Sequence, residues 1–141
     1  MHQLQSPEIQ AFTAGYFNVL LHTAVTLVIL FAGSLIYVLL TPHREIALIR
    51  EGNAAAGVSL GGVVLGLAIP LAVSLTASAS LIEIVIWGMA TVFIQLLVFR
   101  GVDFVLHGLP QRIKDGEMAA AALLVGAKLG AALILAAAVA G

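Results

Sequence analysis

Four long apolar stretches set the pattern of the chain, about Ala14 to Leu40, Ala54 to Ser78, Leu81 to Leu106 and Met118 to Ala140. At 1.5 Å of rise per helical residue, each is long enough to cross a hydrocarbon layer of about 30 Å. The pattern predicts an all-α integral membrane protein with four transmembrane helices, forming one domain over residues 1–141. Residues 1–13 contain no Lys or Arg, and the apolar run behind them is too long for the core of a secretory signal. It reads as a retained first helix.

The polar breaks are also readable. Pro42 fixes φ and removes a donor, so the first helix should end by Leu40 or Thr41. From His43 to Glu51, apolar Ile46, Leu48 and Ile49 alternate with charged residues, as in a short helix lying at the interface. Gly52 and Asn53 supply a break and an N-cap before the second span, and Gly108, Pro110 and Gly116 punctuate the other loop in the same way.

The two loops resemble each other when a four-residue gap is allowed. Pro42 pairs with Pro110, Arg44 with Arg112, and Ile49-Arg50-Glu51-Gly52 with Ile113-Lys114-Asp115-Gly116. At the same spacing, Gly62 and Gly66 of the second span fall on Gly126 and Gly130 of the fourth. A tandem two-helix repeat follows, about 14–78 and about 81–141, whose copies share one orientation and are related by an axis along the membrane normal. All four glycines are expected at helix contacts, because close packing in lipid relies on small residues. Pro70 should kink the second span in its outer half and free a carbonyl that Ser74, Thr76 or a neighbour must accommodate.

Orientation comes from the short-loop basic residues. Arg44 and Arg50 lie in one loop, Arg112 and Lys114 in the other, and the connection between spans two and three has none. Both basic loops are therefore expected in the cytoplasm and both termini outside, in the periplasm of a bacterial inner membrane.

Composition agrees with this picture: 62% of residues are hydrophobic and 9% charged. A net charge of -1 gives no argument for nucleic acid, and the absence of cysteine excludes disulfides and thiol chemistry. What chemistry remains lies within the spans. Glu83, Trp87, Thr91 and Gln95 form a stripe at a spacing of four on span three. Span one offers His22, whose ordinary pKa of about 6.5 makes it the residue there that would change charge near neutrality. Arg100, Asp103 and His107 are expected to make a local ion pair at the interface. Lys128 lies ten residues into span four, about 15 Å deep, and needs water, a polar partner or the protein interior; Gln95, at a similar depth, is the expected partner. No nucleophile with a base, metal-ligand cluster or phosphate loop is in view, so neither enzyme activity, a metal nor a cofactor is expected.

Thr41-Pro42-His43, Glu45, Leu48-Ile49, Asn53 with Ala55-Ala56, Ser59, Gly66, Ile69-Pro70-Leu71, Trp87-Gly88 and Gln95-Leu96-Leu97-Val98-Phe99 together resemble the YjfL-like bacterial inner-membrane proteins, the domain of unknown function 350. The resemblance covers nearly the whole chain and implies a small four-span inner-membrane protein with no established activity to carry over. In that family the last helix commonly ends in an Asn-Ala-Ala-Cys element. Here Leu135-Ala136-Ala137-Ala138 stands instead, and Lys128 takes a place usually held by a small residue.

The expected function is a structural or accessory membrane subunit, surrounded by lipid and packing with itself or a partner. Its basic loops would serve as a docking surface for a soluble protein. The alternative is an oligomeric ion channel or transporter with a polar path lined by Lys128, Gln95, His22 and Glu83.

Overall fold

A computed structural model describes residues 6–41 and 45–141. Six helices follow in order: α1 (Pro7–Leu40), α2 (Glu45–Arg50), α3 (Ala54–Ala77), α4 (Leu81–Val105), α5 (Leu109–Lys114) and α6 (Met118–Ala140). Helices α1, α3, α4 and α6 are long and apolar enough to cross a membrane. The short helices α2 and α5 sit together at one end of the bundle, here called the loop end.

Helix α1 starts two turns earlier than its apolar stretch. Ser6 caps it by accepting from Ile9 N, Pro7 fits the first turn without needing a donor, and Glu8 suits the positive end of the helix. At 34 residues it is about 51 Å long, well beyond a hydrocarbon layer of about 30 Å.

Helix α3 is the most enclosed span: it packs most extensively on α6 and also touches α4 and α1. Glycines permit these approaches. A Cβ on Gly62 would stand 2.5 Å from Val125 Cγ2, and one on Gly66 2.5 Å from Phe99 Cζ. Gly126 and Gly130 differ from expectation, being exposed on the outside of the bundle with nothing within 4 Å of a Cβ. The buried positions of α6 are Ala120, Ala121, Leu124, Lys128, Ala132 and Ala136. They match Ala55, Ala56, Ser59, Val63, Leu67 and Leu71 of α3 one residue out of register with the spacing that sets Gly62 on Gly126. One residue is about 100° around a helix, enough to turn the second glycine pair outward.

The two loops do share their local geometry. Each short helix ends on a glycine with positive φ, Gly52 at 88° and Gly116 at 86°. In each, that glycine's N–H and the next residue's N–H bond back to the last turn: Gly52 to Ile49 and Asn53 to Leu48, Gly116 to Ile113 and Glu117 to Arg112, all at 2.9 Å. This is the helix-ending motif in which only a residue without Cβ is unstrained.

Asn53 then ties the loops together. Its Oδ1 accepts from Ala56 N at 3.0 Å to cap α3, while Nδ2 donates to the carbonyls of Ile113 and Lys114 at 3.0 and 3.1 Å. Asn53→Ala removes the cap and both bridges and should cost about 2 kcal/mol, read as a lower thermal midpoint in detergent. Asn53→Asp keeps the cap but not the donors and should recover only part of the loss.

Candidate functional site

Lys128 is 1% exposed. Because α6 runs away from the loop end and side chains tilt toward a helix N-terminus, its stem points back toward the loops. Helices α1 and α4 run the opposite way, so Tyr37 and Asp103 lean inward to meet it. The Lys128 Nζ donates to Tyr37 Oη at 2.6 Å and stands 2.9 Å from Asp103 Oδ1, an ion pair by distance although its angles fall outside hydrogen-bond geometry. Tyr37 Oη in turn donates to Asp103 Oδ2 at 3.4 Å. The ammonium also lies 4.7 Å from the Tyr37 ring centre and 5.4 Å from that of Phe99, and the two rings meet edge to face. Three spans are thereby joined through one cation, whose charge is met by a carboxylate, a phenol and two aromatic faces.

This arrangement corrects two expectations. Gln95 is not the partner of Lys128, and Asp103 does not pair with Arg100, whose guanidinium instead donates to the Leu40 carbonyl at 3.5 Å, at the end of α1. Depth counted along Cα atoms missed the reach of a long side chain aimed along the helix.

Gln95 has a different task. Pro70 lacks the N–H that would bond the carbonyl four residues back, leaving Gly66 O without its helical donor. Gln95 Nε2 supplies one at 2.8 Å, from a fully buried side chain. Gln95→Leu should leave that carbonyl unsatisfied and cost about 1–3 kcal/mol. Adding Pro70→Ala restores the intrahelical donor and should return most of the lost stability, a non-additivity that a thermal-melt cycle would measure.

The other singled-out residues lie apart from these. Thr91 is buried on α4, and Trp87 is exposed at the far end. Glu83 is exposed and serves its own helix: Ser80 accepts from Glu83 N at 3.3 Å, and Glu83 Oε2 accepts from Ala79 N at 2.8 Å. That is a near relative of the Ser-x-x-Glu capping box, already visible in Ser80 to Glu83. His22 is half-buried on α1, where its carbonyl accepts from Thr26 Oγ1 at 2.8 Å. Lys128, Gln95, His22 and Glu83 therefore make separate contacts. Arg50, Arg112 and Lys114 are exposed at the loop end, with Arg112 paired to Glu117; Arg44 lies outside the described residues.

Above the Lys128 pair, a cleft of about 370 Å³ opens among the loops, lined by Tyr37, Thr41, Glu45, Ser59, Asp103 and His107 with several apolar neighbours. Glu45, the first residue of α2, is 6% exposed. Burial pushes its carboxyl up to about 7; the Lys128 ammonium opposes the shift and Asp103 adds to it. The sequence drew attention to Lys128 by its depth and to Glu45 only through the family resemblance, and nothing in the spacing of Tyr37 and Glu45 shows that three helices converge there.

A bundle of four apolar spans, closed at one end by two short interfacial helices and held by a buried ion pair, defines a small polytopic membrane protein. The chain belongs to the Domain of Unknown Function (DUF350) family, which it matches over residues 11–139. It is 36% identical over 120 residues to the UPF0719 inner membrane protein YjfL of Escherichia coli (strain K12), covering 85% of this chain and 84% of that one. The protein of the same name in Escherichia coli O157:H7 matches equally. No solved structure matches the chain. Its four apolar helices and the name of its relative agree on a multi-pass inner membrane protein.

Proposed function

We propose that this protein is a structural or accessory membrane subunit that packs against a second copy of itself through the outer face of α6. The observation that carries this reading is the outward turn of Gly126 and Gly130. With Ala122 they form an exposed run of small residues at a spacing of four, followed on the same face by the exposed Ile134, and in lipid such a run gains from close approach of another helix. The intramembrane polar groups support the same reading, because Lys128 and Gln95 are engaged within the bundle rather than along a route through it. A channel lined by Lys128, Gln95, His22 and Glu83 has less support, since those side chains occupy separate surroundings.

The chain has no cysteine of its own, so single cysteines report cleanly. Gly130→Cys should give a disulfide-linked dimer when membranes are oxidised, whereas Phe31→Cys, exposed on α1, should not. Equal crosslinking at both positions, or at neither, would count against the α6 interface.

In the proposed orientation the loop end faces the cytoplasm and both termini the opposite side, following the basic residues of the loops. An impermeant thiol reagent on intact cells should then label a cysteine placed at Ser6 and spare one at Gln111. The matching loop geometry supports an origin by tandem duplication, after which the two outgoing spans came to use different faces.

A further inference from the structure

Glu45 lines the loop-end cleft, yet its Oε2 has no hydrogen-bond partner among the described residues. A buried carboxylate without a partner is costly, and the described residues offer Glu45 Oε2 no donor. The charged groups around it are engaged or at the edge. Lys128 is held by Asp103 and Tyr37, the Arg100 guanidinium at the rim is turned to the Leu40 carbonyl, and His107 is exposed at the mouth. Helix α3 contributes only the neutral Ser59, and α5 contributes Pro110, Gln111 and Ile113.

We propose that this cleft binds a small organic cation, a primary ammonium on a short aliphatic body, with its ammonium on the Glu45 carboxylate. A hard metal ion fits less well. It would take about six to eight oxygen ligands, and no group of three acidic, histidine or cysteine side chains that could hold one occurs among the described residues. An ammonium has three donors, and Glu45 shares the cleft lining with the hydroxyl-bearing Ser59 and Thr41, both acceptor side chains. The cleft, about 370 Å³, is far larger than a bare ion and lies within the usual range of about 300–1,000 Å³ for small-molecule sites. Leu48, Phe104 and Leu124 on its walls would cover the aliphatic part. This site faces away from the proposed α6 interface and stands or falls independently of self-association.

The test uses the detergent-solubilised full chain and its thermal midpoint with n-butylammonium chloride, against potassium chloride and tetramethylammonium chloride at equal ionic strength. The expected result is a saturable rise with butylammonium alone. Its half-saturating concentration should be about tenfold higher at pH 6 than at pH 8, because a proton competes for a carboxyl titrating at about 7. Glu45→Gln, which keeps the shape of the neutral acid, should abolish the rise. No saturable rise, a rise that potassium reproduces, or one that survives in Glu45→Gln would overturn the proposal. Should that variant fail to fold, the wild-type protein decides by itself, and an apparent affinity independent of pH would overturn it.

Discussion

Asp103→Ala should lower the stability of the folded bundle by about 3–5 kcal/mol, because it leaves the ammonium of Lys128 buried and uncompensated. Lys128 is 1% exposed, and Tyr37 would remain as a neutral acceptor only. The reverse deletion should be milder. In Lys128→Met the stranded group is Asp103, whose side chain is 16% exposed beside the loop-end cleft and can be hydrated there. Methionine also fills a similar length of the packed channel between α1 and α4. Lys128→Met combined with Asp103→Leu should therefore be much more stable than Asp103→Ala, since exchanging a buried pair for apolar groups is often neutral or stabilising. Equal losses for both single variants, with full additivity in the double, would mean that the two charges do not act as a pair.

Stability should also fall as pH rises from about 4.5 to about 7 and level off above that. The Glu45 carboxyl is raised from about 4.5 in the unfolded chain to about 7 in the bundle, so the folded state binds the proton more tightly. Below about pH 4.5 both states are protonated and the group is neutral in effect; between the two values the folded form progressively loses its advantage. Above about pH 7 the full difference applies, about 3 kcal/mol at 1.36 kcal/mol per pH unit. Glu45→Gln should flatten this part of the profile and melt higher than wild type at pH 8. A thermal midpoint in detergent that rises from pH 5.5 to 8, or an unchanged slope in Glu45→Gln, would show that the carboxyl is ordinary.

How much of this could be read from the sequence depends on the kind of interaction. The spans and their ends follow from local chemistry: Asn53 caps α3, Gly52 and Gly116 end the short helices, and Pro42 falls beside the end of α1 at Leu40. The freed carbonyl behind Pro70 was also predictable, although its donor was not, because Gln95 lies 29 residues away on another helix. Lys128 stood out by its cost in lipid. Depth at Cα sets Gln95 beside it, whereas the direction of each helix sends Lys128 toward the loops and Asp103 away from them. Gly126 and Gly130 illustrate the other limit. A shared glycine spacing fixes neither rotation nor neighbours, and α6, lying at the side of the bundle, uses one inward face where α3 needs several.

The proposed self-association through α6 should show in the mass of the intact protein. Extracted from its own membrane in mild detergent and weighed without denaturation, the protein should appear as a multiple of its 14.6 kDa chain. Gly126→Leu together with Gly130→Leu should shift that mass to a single chain while leaving the helical signal and the Lys128 ion pair intact. A wild-type protein found only as a single chain, or a multimer indifferent to both leucines, would contradict the account.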